Sequence, residues 1–473
     1  MLLSELLGAV ADRPALQHVQ VRVDDDVELT GASHDTRLVG PGMIFCCVPG
    51  ANVDGHDLAA DAVAAGAVAL LCERPLSLGV AELQVPSVRE AMGPVSAVLA
   101  GSPSEHMVVV GVTGTNGKTT TVHLLASIFE AAGRRAGVIG TLTGTRTTPE
   151  APELQQQLAA MRSDGVEAVA MEVSSHALDL HRVDGTRFDV AVFTNLSRDH
   201  LDHHGDMETY FGAKARLFEP DLSDRAVLNL DDPHGRLLRD AASIPAVGYS
   251  LEEAEDLHVD VGGSTFRWRG VDVRLPLAGR FNVSNALAAA TAAEAVGIPP
   301  EVVAAGLASA AAVPGRFEII DEGQPYLAAV DFAHTPDGLE QLLVTARELA
   351  GDGRVLIVFG AGGDRDRTKR PLMGEMAAQY ADVVVVTTDN PRHEDPAAII
   401  EDVKSGMERP TDLRTEPDRH RAIELAVAEA RPGDVLLVAG KGHETTQTIG
   451  DEVFSFDDRL VLAAAIRASE EKS

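Results

Sequence analysis

Residues 111–121, Gly-Val-Thr-Gly-Thr-Asn-Gly-Lys-Thr-Thr-Thr, constrain this chain more than any other stretch. An apolar run at 106–110 precedes them and reads as a short buried strand, and the spacing of apolar residues over 122–129 predicts a helix. Strand, glycine loop and helix together describe a phosphate-binding loop. Its backbone N–H groups and helix N-terminus face a polyphosphate, a lysine spans the oxygens, and the next hydroxyl ligates magnesium. Lys118 and Thr119 take those two places. The loop is a variant, because Val112 stands where the strict pattern has its first glycine.

At 473 residues the chain has room for roughly three ordinary domains. With 45% hydrophobic and 24% charged residues it can bury full cores. The first sixteen residues are acidic in part and lack the basic start of a secretory signal, and no apolar run reaches the ~20 residues of a membrane span. A cytosolic protein without membrane insertion is expected. Cys46, Cys47 and Cys72 lack CxxC spacing and read as small buried residues rather than a disulfide framework or zinc site. A net charge of −32 speaks against nucleic acid as a partner.

The lysines are only Lys118, Lys214, Lys369, Lys404, Lys441 and Lys472, since arginine supplies most of the positive charge. Four of them fall in glycine-rich or His/Asp-rich motifs. A retained lysine in such a chain points to a task for an amine or a compact charge.

Taken in order, residues 1–104 predict a small α/β domain. Residues 105–312 predict a phosphate-loop domain with a mostly parallel sheet, its strands near 137–141, 166–173, 190–194 and 226–230, followed by a hairpin over 259–277. Residues 313–316 read as a hinge into a Rossmann-like α/β domain over 313–473, with strands at 326–330, 355–359, 383–387 and 435–438. Polar motifs close many of these strands, the edge where open α/β sheets bind ligands. Glu172 is well placed there to hold magnesium, and His200 is a second candidate although magnesium prefers oxygen. Lys214, on a helix beside Tyr210 and Phe211, reads from its chemistry alone as a snorkelling surface lysine. The GAGGDRD run at 360–366 is not a dinucleotide fingerprint.

The ordered set HDTRLVGPGMIF, GTNGKTTT, EVSSHAL, FTNLSRDHLDHHG, AKARLF, GRFNVSNALAA, PGRFE, DFAHTPDGLE, GAGGDRDRTKRPLMG, DNPR and GKGHE closely resembles the Mur ligases across all three domains. These are ATP-dependent amide-forming enzymes of peptidoglycan precursor synthesis. Within the family the motifs are most similar to the branch that adds the third residue to UDP-N-acetylmuramoyl-L-alanyl-D-glutamate. The resemblance implies a substrate carboxylate that attacks ATP to give an acyl phosphate, which the incoming amine then displaces.

It also implies roles by position. Gly114, Thr115, Asn116, Gly117, Lys118, Thr119 and Thr120 hold ATP, with Asn282, Arg316, Asp331 and His334 as further nucleotide contacts. Thr119, Glu172 and His200 match magnesium ligands, and Lys214 matches a lysine that many members carry as a carbamate ligand. Thr36, Ala51, Asn52, Val53, Thr147, Thr148, Ser174 and Arg182 fall where the muramoyl dipeptide nucleotide docks. Leu180 stands where many members have glutamine, and Thr36 where serine is usual.

Asp389, Asn390, Pro391 and Arg392 form the DNPR variant associated with meso-diaminopimelate, with Arg365, Gly440 and Glu444 as further contacts. Arg392 can pair with the second carboxylate of that amino acid through two parallel hydrogen bonds, whereas lysine would offer a repelled ammonium. A monomer that closes its last domain over bound ATP is expected. The alternatives are a sister ligase using L-lysine, a folylpolyglutamate-type synthetase, and a non-catalytic ATP-binding scaffold. DNPR and the N-terminal domain weigh against the first two, and the joint presence of Lys118, Glu172, His200 and Lys214 against the third.

Overall fold

The computed structural model describes residues 1–22, 25–50, 52–409 and 411–470. Ala51, expected at the uridine nucleotide, lies outside them. The described residues form three α/β units. The first is a five-stranded sheet in the order Gln20–Arg22, Ala81–Gln84, Ala69–Cys72, Met43–Cys46, Gly31–Ser33, parallel except at the Gln20–Arg22 edge. Cys46, Cys47 and Cys72 are fully buried in it as free thiols, as their spacing suggested.

The second unit is a six-stranded parallel sheet in the order Ala246–Tyr249, Ala226–Asn229, Val190–Phe193, Val108–Thr113, Ala168–Glu172, Ala136–Ile139. Three of its strands, Ala168–Glu172, Val190–Phe193 and Ala226–Asn229, are buried at every residue, as a parallel sheet covered on both faces requires. The strand Val108–Thr113 starts two residues later than its apolar run, because 103–106 form a 3-10 turn. It lies between Ala168–Glu172 and Val190–Phe193, at the point where the strand order reverses, and its C-terminal end therefore opens into the crevice where ligands bind.

The hairpin expected over 259–277 is a three-stranded meander, Glu255–Asp260, Gly263–Trp268 and Val271–Leu275. Its first strand alternates exposed and half-buried residues and carries three acidic ones, so no apolar alternation announced it.

The third unit is a six-stranded sheet in the order Glu318–Ile319, Leu327–Asp331, Val435–Ala439, Val355–Phe359, Val383–Val386, Asp412–Thr415, antiparallel only at the Glu318–Ile319 edge. The four apolar strands fall close to their expected places. The two edge strands are short and largely polar, which hides them from periodicity. No helix among the described residues is long and apolar enough to cross a membrane.

Candidate active site

The phosphate loop is shaped by glycines and tied down by the neighbouring strand end. Gly114 has φ +152°, and a Cβ there would collide with Thr194 Oγ1. Asn195 accepts from Asn116 N through Oδ1 at 2.9 Å, and its own carbonyl accepts from Thr115 N at 2.9 Å. The following helix, Lys118–Ala131, begins at Gly117 with no capping side chain and no acidic residue in its first turn. Its N-terminus is thus left for an external anion.

A cavity of about 690 Å³ opens over this loop, lined from two units at once. Thr115, Asn116, Gly117, Lys118, Thr119, Thr120, Thr147, Glu172, Ser174, His200 and Lys214 face it from the second unit, and Arg316, Asp331 and His334 from the third. Register explains Glu172: it pairs with Val112, one residue before the phosphate-loop strand ends. Its carboxylate accepts from Thr119 Oγ1 at 3.1 Å, Thr141 N at 2.8 Å and Thr141 Oγ1 at 3.2 Å. Arg316 Nη2 donates to Thr119 Oγ1 at 3.1 Å.

Cations crowd the floor. Lys118 Nζ donates to Gly114 O and Thr115 O, each at 2.8 Å, and burial lowers its pKa against the pull of Glu172 and Asp199. Lys214 is only 1% exposed, where snorkelling would leave it in water. Its Nζ donates to Gly114 O at 2.9 Å and sits 4.6 Å above the Tyr210 ring. Burial, and then the neighbouring Lys118 charge, hold Lys214 well below its ordinary pKa. Arg316 is lowered by burial, partly offset by Asp331 and Glu172. Lys118, Lys214 and Arg316 are thus cations stripped of water beside the phosphate loop, a setting in which a polyphosphate would offset the cost of burying them.

The donor set also fits a hard divalent cation. Thr119 Oγ1 and a Glu172 oxygen stand 3.1 Å apart at the loop, both oxygens as magnesium prefers. His200 adopts φ +54° and lines the same cavity, its Nε2 3.4 Å from Asp199 Oδ2. Lys214 as an ammonium cannot serve as a ligand.

Other expected residues fall elsewhere. Asn282 is buried and donates through Nδ2 to Ala278 O at 2.8 Å, while Asn285, three residues on, lines the cavity. One helical turn decides which asparagine of NVSN faces out. Thr148 lies beneath the lining: its hydroxyl donates to Glu172 O at 2.9 Å and accepts from Ser174 N at 3.1 Å. Arg182 pairs with the buried Glu150 at 2.9 Å, and so do Arg89 at 2.8 Å and Arg146 at 2.9 Å. Thr36, on the short turn Thr36–Leu38, and Asn52 and Val53 belong to the first unit and do not line the cavity.

The residues of DNPR and GKGHE form a second cluster at the C-terminal edge of the third sheet. Asn390 Nδ2 donates to Glu444 Oε2 at 2.8 Å, and Lys441 Nζ lies 3.2 Å from the same oxygen. Gly440, at φ +114°, lets the chain pass Asp389, whose Oδ2 a Cβ would meet at 2.5 Å. Arg392 donates to Gly363 O at 2.6 Å and makes no ion pair among the described residues, nor does Arg365. Burial, and then the Arg365 charge, lower the Arg392 pKa. Pro391 is buried behind them. Sequence reasoning assigned no role to Asp199, Thr141 or Asn285. Only the scarcity of lysine pointed to Lys369, which reaches Asp199.

Family models for the Mur ligase catalytic domain, the middle domain and the glutamate ligase domain match residues 28–100, 112–293 and 315–442. The chain belongs to the Mur ligase family and is a ligase. A UDP-N-acetylmuramoyl-L-alanyl-D-glutamate--2,6-diaminopimelate ligase from Geobacillus thermodenitrificans is 46% identical over 468 residues, 93% of this chain and 95% of the relative. One of the same name from Streptomyces avermitilis is 46% identical, covering 94% of each. Among solved structures, one of a ligase with that name superposes at TM-score 0.67 with 36% identity, over 93% of this chain and 95% of the other. A MurF ligase from Thermotoga maritima in complex with ADP shares the fold at TM-score 0.64 and 20% identity, over 93% and 97%.

Proposed function

We propose that this chain joins meso-diaminopimelate to the glutamyl carboxylate of UDP-N-acetylmuramoyl-L-alanyl-D-glutamate, converting ATP to ADP and phosphate in peptidoglycan precursor synthesis in the cytoplasm. The observation that carries the reading is the shared cavity, where a phosphate loop, Glu172, buried Lys214 and Arg316 meet. Residues 105–312 bind ATP, residues 1–104 dock the uridine nucleotide, and residues 313–473 bring the amine.

In this reading the N-terminus of Lys118–Ala131 takes the phosphates and Lys118 turns from Gly114 O and Thr115 O to bridge them. The substrate carboxylate forms a bond to the γ-phosphorus as the bond to ADP breaks. The amine then forms the C–N bond as phosphate leaves. Two anions must approach each other, so alignment and charge neutralisation by Lys118 and Arg316 do most of the catalytic work. Magnesium held by Thr119, Glu172 and His200 would supply further neutralisation of the phosphate charge.

Lys214 enters as a carbamate. Burial and the neighbouring Lys118 charge hold this amine below its ordinary pKa, so it gives up its proton and frees its lone pair more readily than an exposed lysine. That lone pair attacks carbon dioxide, the N–C bond forms and one proton departs, replacing a cation with an oxygen ligand. Intact mass taken without acid in bicarbonate should show the adduct.

Arg392 and Arg365 receive the distal carboxylate of diaminopimelate, and Glu444 its amine. L-Lysine would leave both guanidiniums without an anion. Phosphate release from ATP, measured with the muramoyl dipeptide nucleotide and either meso-diaminopimelate or L-lysine, tests the reading. Release with diaminopimelate, and a tripeptide product by mass, is expected. Release with lysine only would overturn the amino-acid assignment, and silence with both the reaction.

A further inference from the structure

Beside the cavity lies a second group of ligating side chains that the proposed reaction does not use. The helix Ser175–Asp179 carries His176 and Asp179 one turn apart, and the helix Leu201–His204 carries His203 and His204. Ligand atoms of Asp179, His203 and His204 all lie within 4.8 Å of one another. His203 Nε2 stands 2.9 Å from Asp179 Oδ2. The ring of His176 is 4.1 Å from that of His203 and 5.4 Å from that of His204, centre to centre. No described residue hydrogen-bonds a ring nitrogen of His176.

The group is held in place before any ion arrives. Ser174 caps the first helix through Ala177 N, and the second is bounded by His200 at φ +54° and Gly205 at φ +81°. His204 is buried, stacked on Tyr210 at 5.0 Å with Nε2 3.0 Å from Ser175 Oγ. Asp179 and His203 keep their access to water.

We propose that Asp179, His203 and His204 form a site for a zinc-class transition-metal ion, with His176 placed as a further donor. Imidazole nitrogens are favoured ligands for zinc-class ions. Two of them with one carboxylate match the three-ligand, open zinc pattern, whereas magnesium seeks near-octahedral oxygen. The donor set is distinct from Thr119 and Glu172. A bound ion ties the helix Ser175–Asp179 to the turn that carries His200, and so stiffens one wall of the cavity. This inference does not depend on the substrate reading.

The full chain, stripped by chelator and dialysed against zinc in excess magnesium, should retain one zinc per chain, with imidazole and oxygen but no sulfur in its X-ray absorption. Zinc should raise its Tm. Asp179→Asn and His203→Ala should each weaken zinc binding by at least the roughly 10–100-fold that even outer partners of a metal are worth. Asp179→Asn alters an exposed carboxylate and keeps its shape, so the comparison survives even if His203→Ala folds poorly. No retained zinc, sulfur ligation, or undiminished zinc in Asp179→Asn would each overturn the site.

Discussion

Lys369 Nζ lies 3.3 Å from Asp199 Oδ1, and the two side chains are 7% and 8% exposed although they belong to different α/β units. The other oxygen of Asp199 is 3.4 Å from His200 Nε2 and 3.6 Å from His334 Nε2. Burial pushes the Asp199 pKa up, but the His334 hydrogen bond and the charges of His334, Lys369 and His200 together hold it well below the usual carboxylate range. Asn116 Nδ2 to Asp337 at 2.9 Å and Arg316 to Thr119 at 3.1 Å cross the same boundary. Asp199 is thus an ionised anchor by which the third unit is held against the phosphate loop.

Lys369→Met leaves that carboxylate buried with, among the described residues, the imidazoles of His200 and His334 as its ion-pair partners. Truncating one member of such an interfacial pair costs about 2–5 kcal/mol. The closed arrangement should loosen, seen as a larger radius of gyration by small-angle scattering with nucleotide bound, and kcat/KM should fall. An unchanged radius and rate would remove Asp199 from its anchoring role.

Arg392→Ala should depress kcat/KM for diaminopimelate while ATP affinity holds. Each charged hydrogen bond lost is worth roughly 1.5–3 kcal/mol. If diaminopimelate and other amino acids lose activity equally, Arg392 supports the fold through Gly363 O instead of reading a carboxylate.

Lys214→Met should abolish ligation and yet stabilise the chain in bicarbonate-free buffer at neutral pH. The folded pKa lies below the unfolded one, so between the two the unfolded chain binds more protons and stability rises with pH. Replacing the ammonium by an apolar side chain removes that penalty, a gain of about 0.5–2 kcal/mol of the kind common when a functional strain is deleted. A lower Tm for Lys214→Met at pH 7 would contradict the burial argument.

His443, in the GKGHE stretch of the third unit, supplies a pH test of stability. Its Nδ1 is buried with no hydrogen-bond partner among the described residues, and burial, then Arg316 and Arg459, push the ring down to about 4. The folded chain therefore binds fewer protons than the unfolded one between about 4 and an ordinary 6.5, and stability falls as pH drops through that window. His443→Phe, which keeps the ring packed on Phe332, should flatten the fall of Tm with acid. Parallel Tm profiles for the two proteins would assign the acid sensitivity to other groups.

Much of this molecule was legible along the chain. Parallel strands buried on both faces, such as Val355–Phe359 and Val435–Ala439, appear as unbroken apolar runs, and a phosphate loop needs its glycines and lysine in consecutive order. Local chemistry of that kind survives in one dimension. The order of the motifs also carried the family.

Burial and convergence did not. Lys214 beside Tyr210 has the sequence of a surface lysine, and only packing against Gly114 O turns it into a buried amine. Asn282 and Asn285 differ by one helical turn, and the crossing of Arg280–Ala295 over the loop decides which faces the cavity. Asp199 and Lys369 are separated by 170 residues and meet because two sheets present their strand ends to each other. The sequence by itself determined the strands, the phosphate loop and the inventory of ionisable groups. Tertiary structure decided which of those groups lose their water and whose charge they then face, because desolvation and Coulomb energy depend on distance through space and not along the chain.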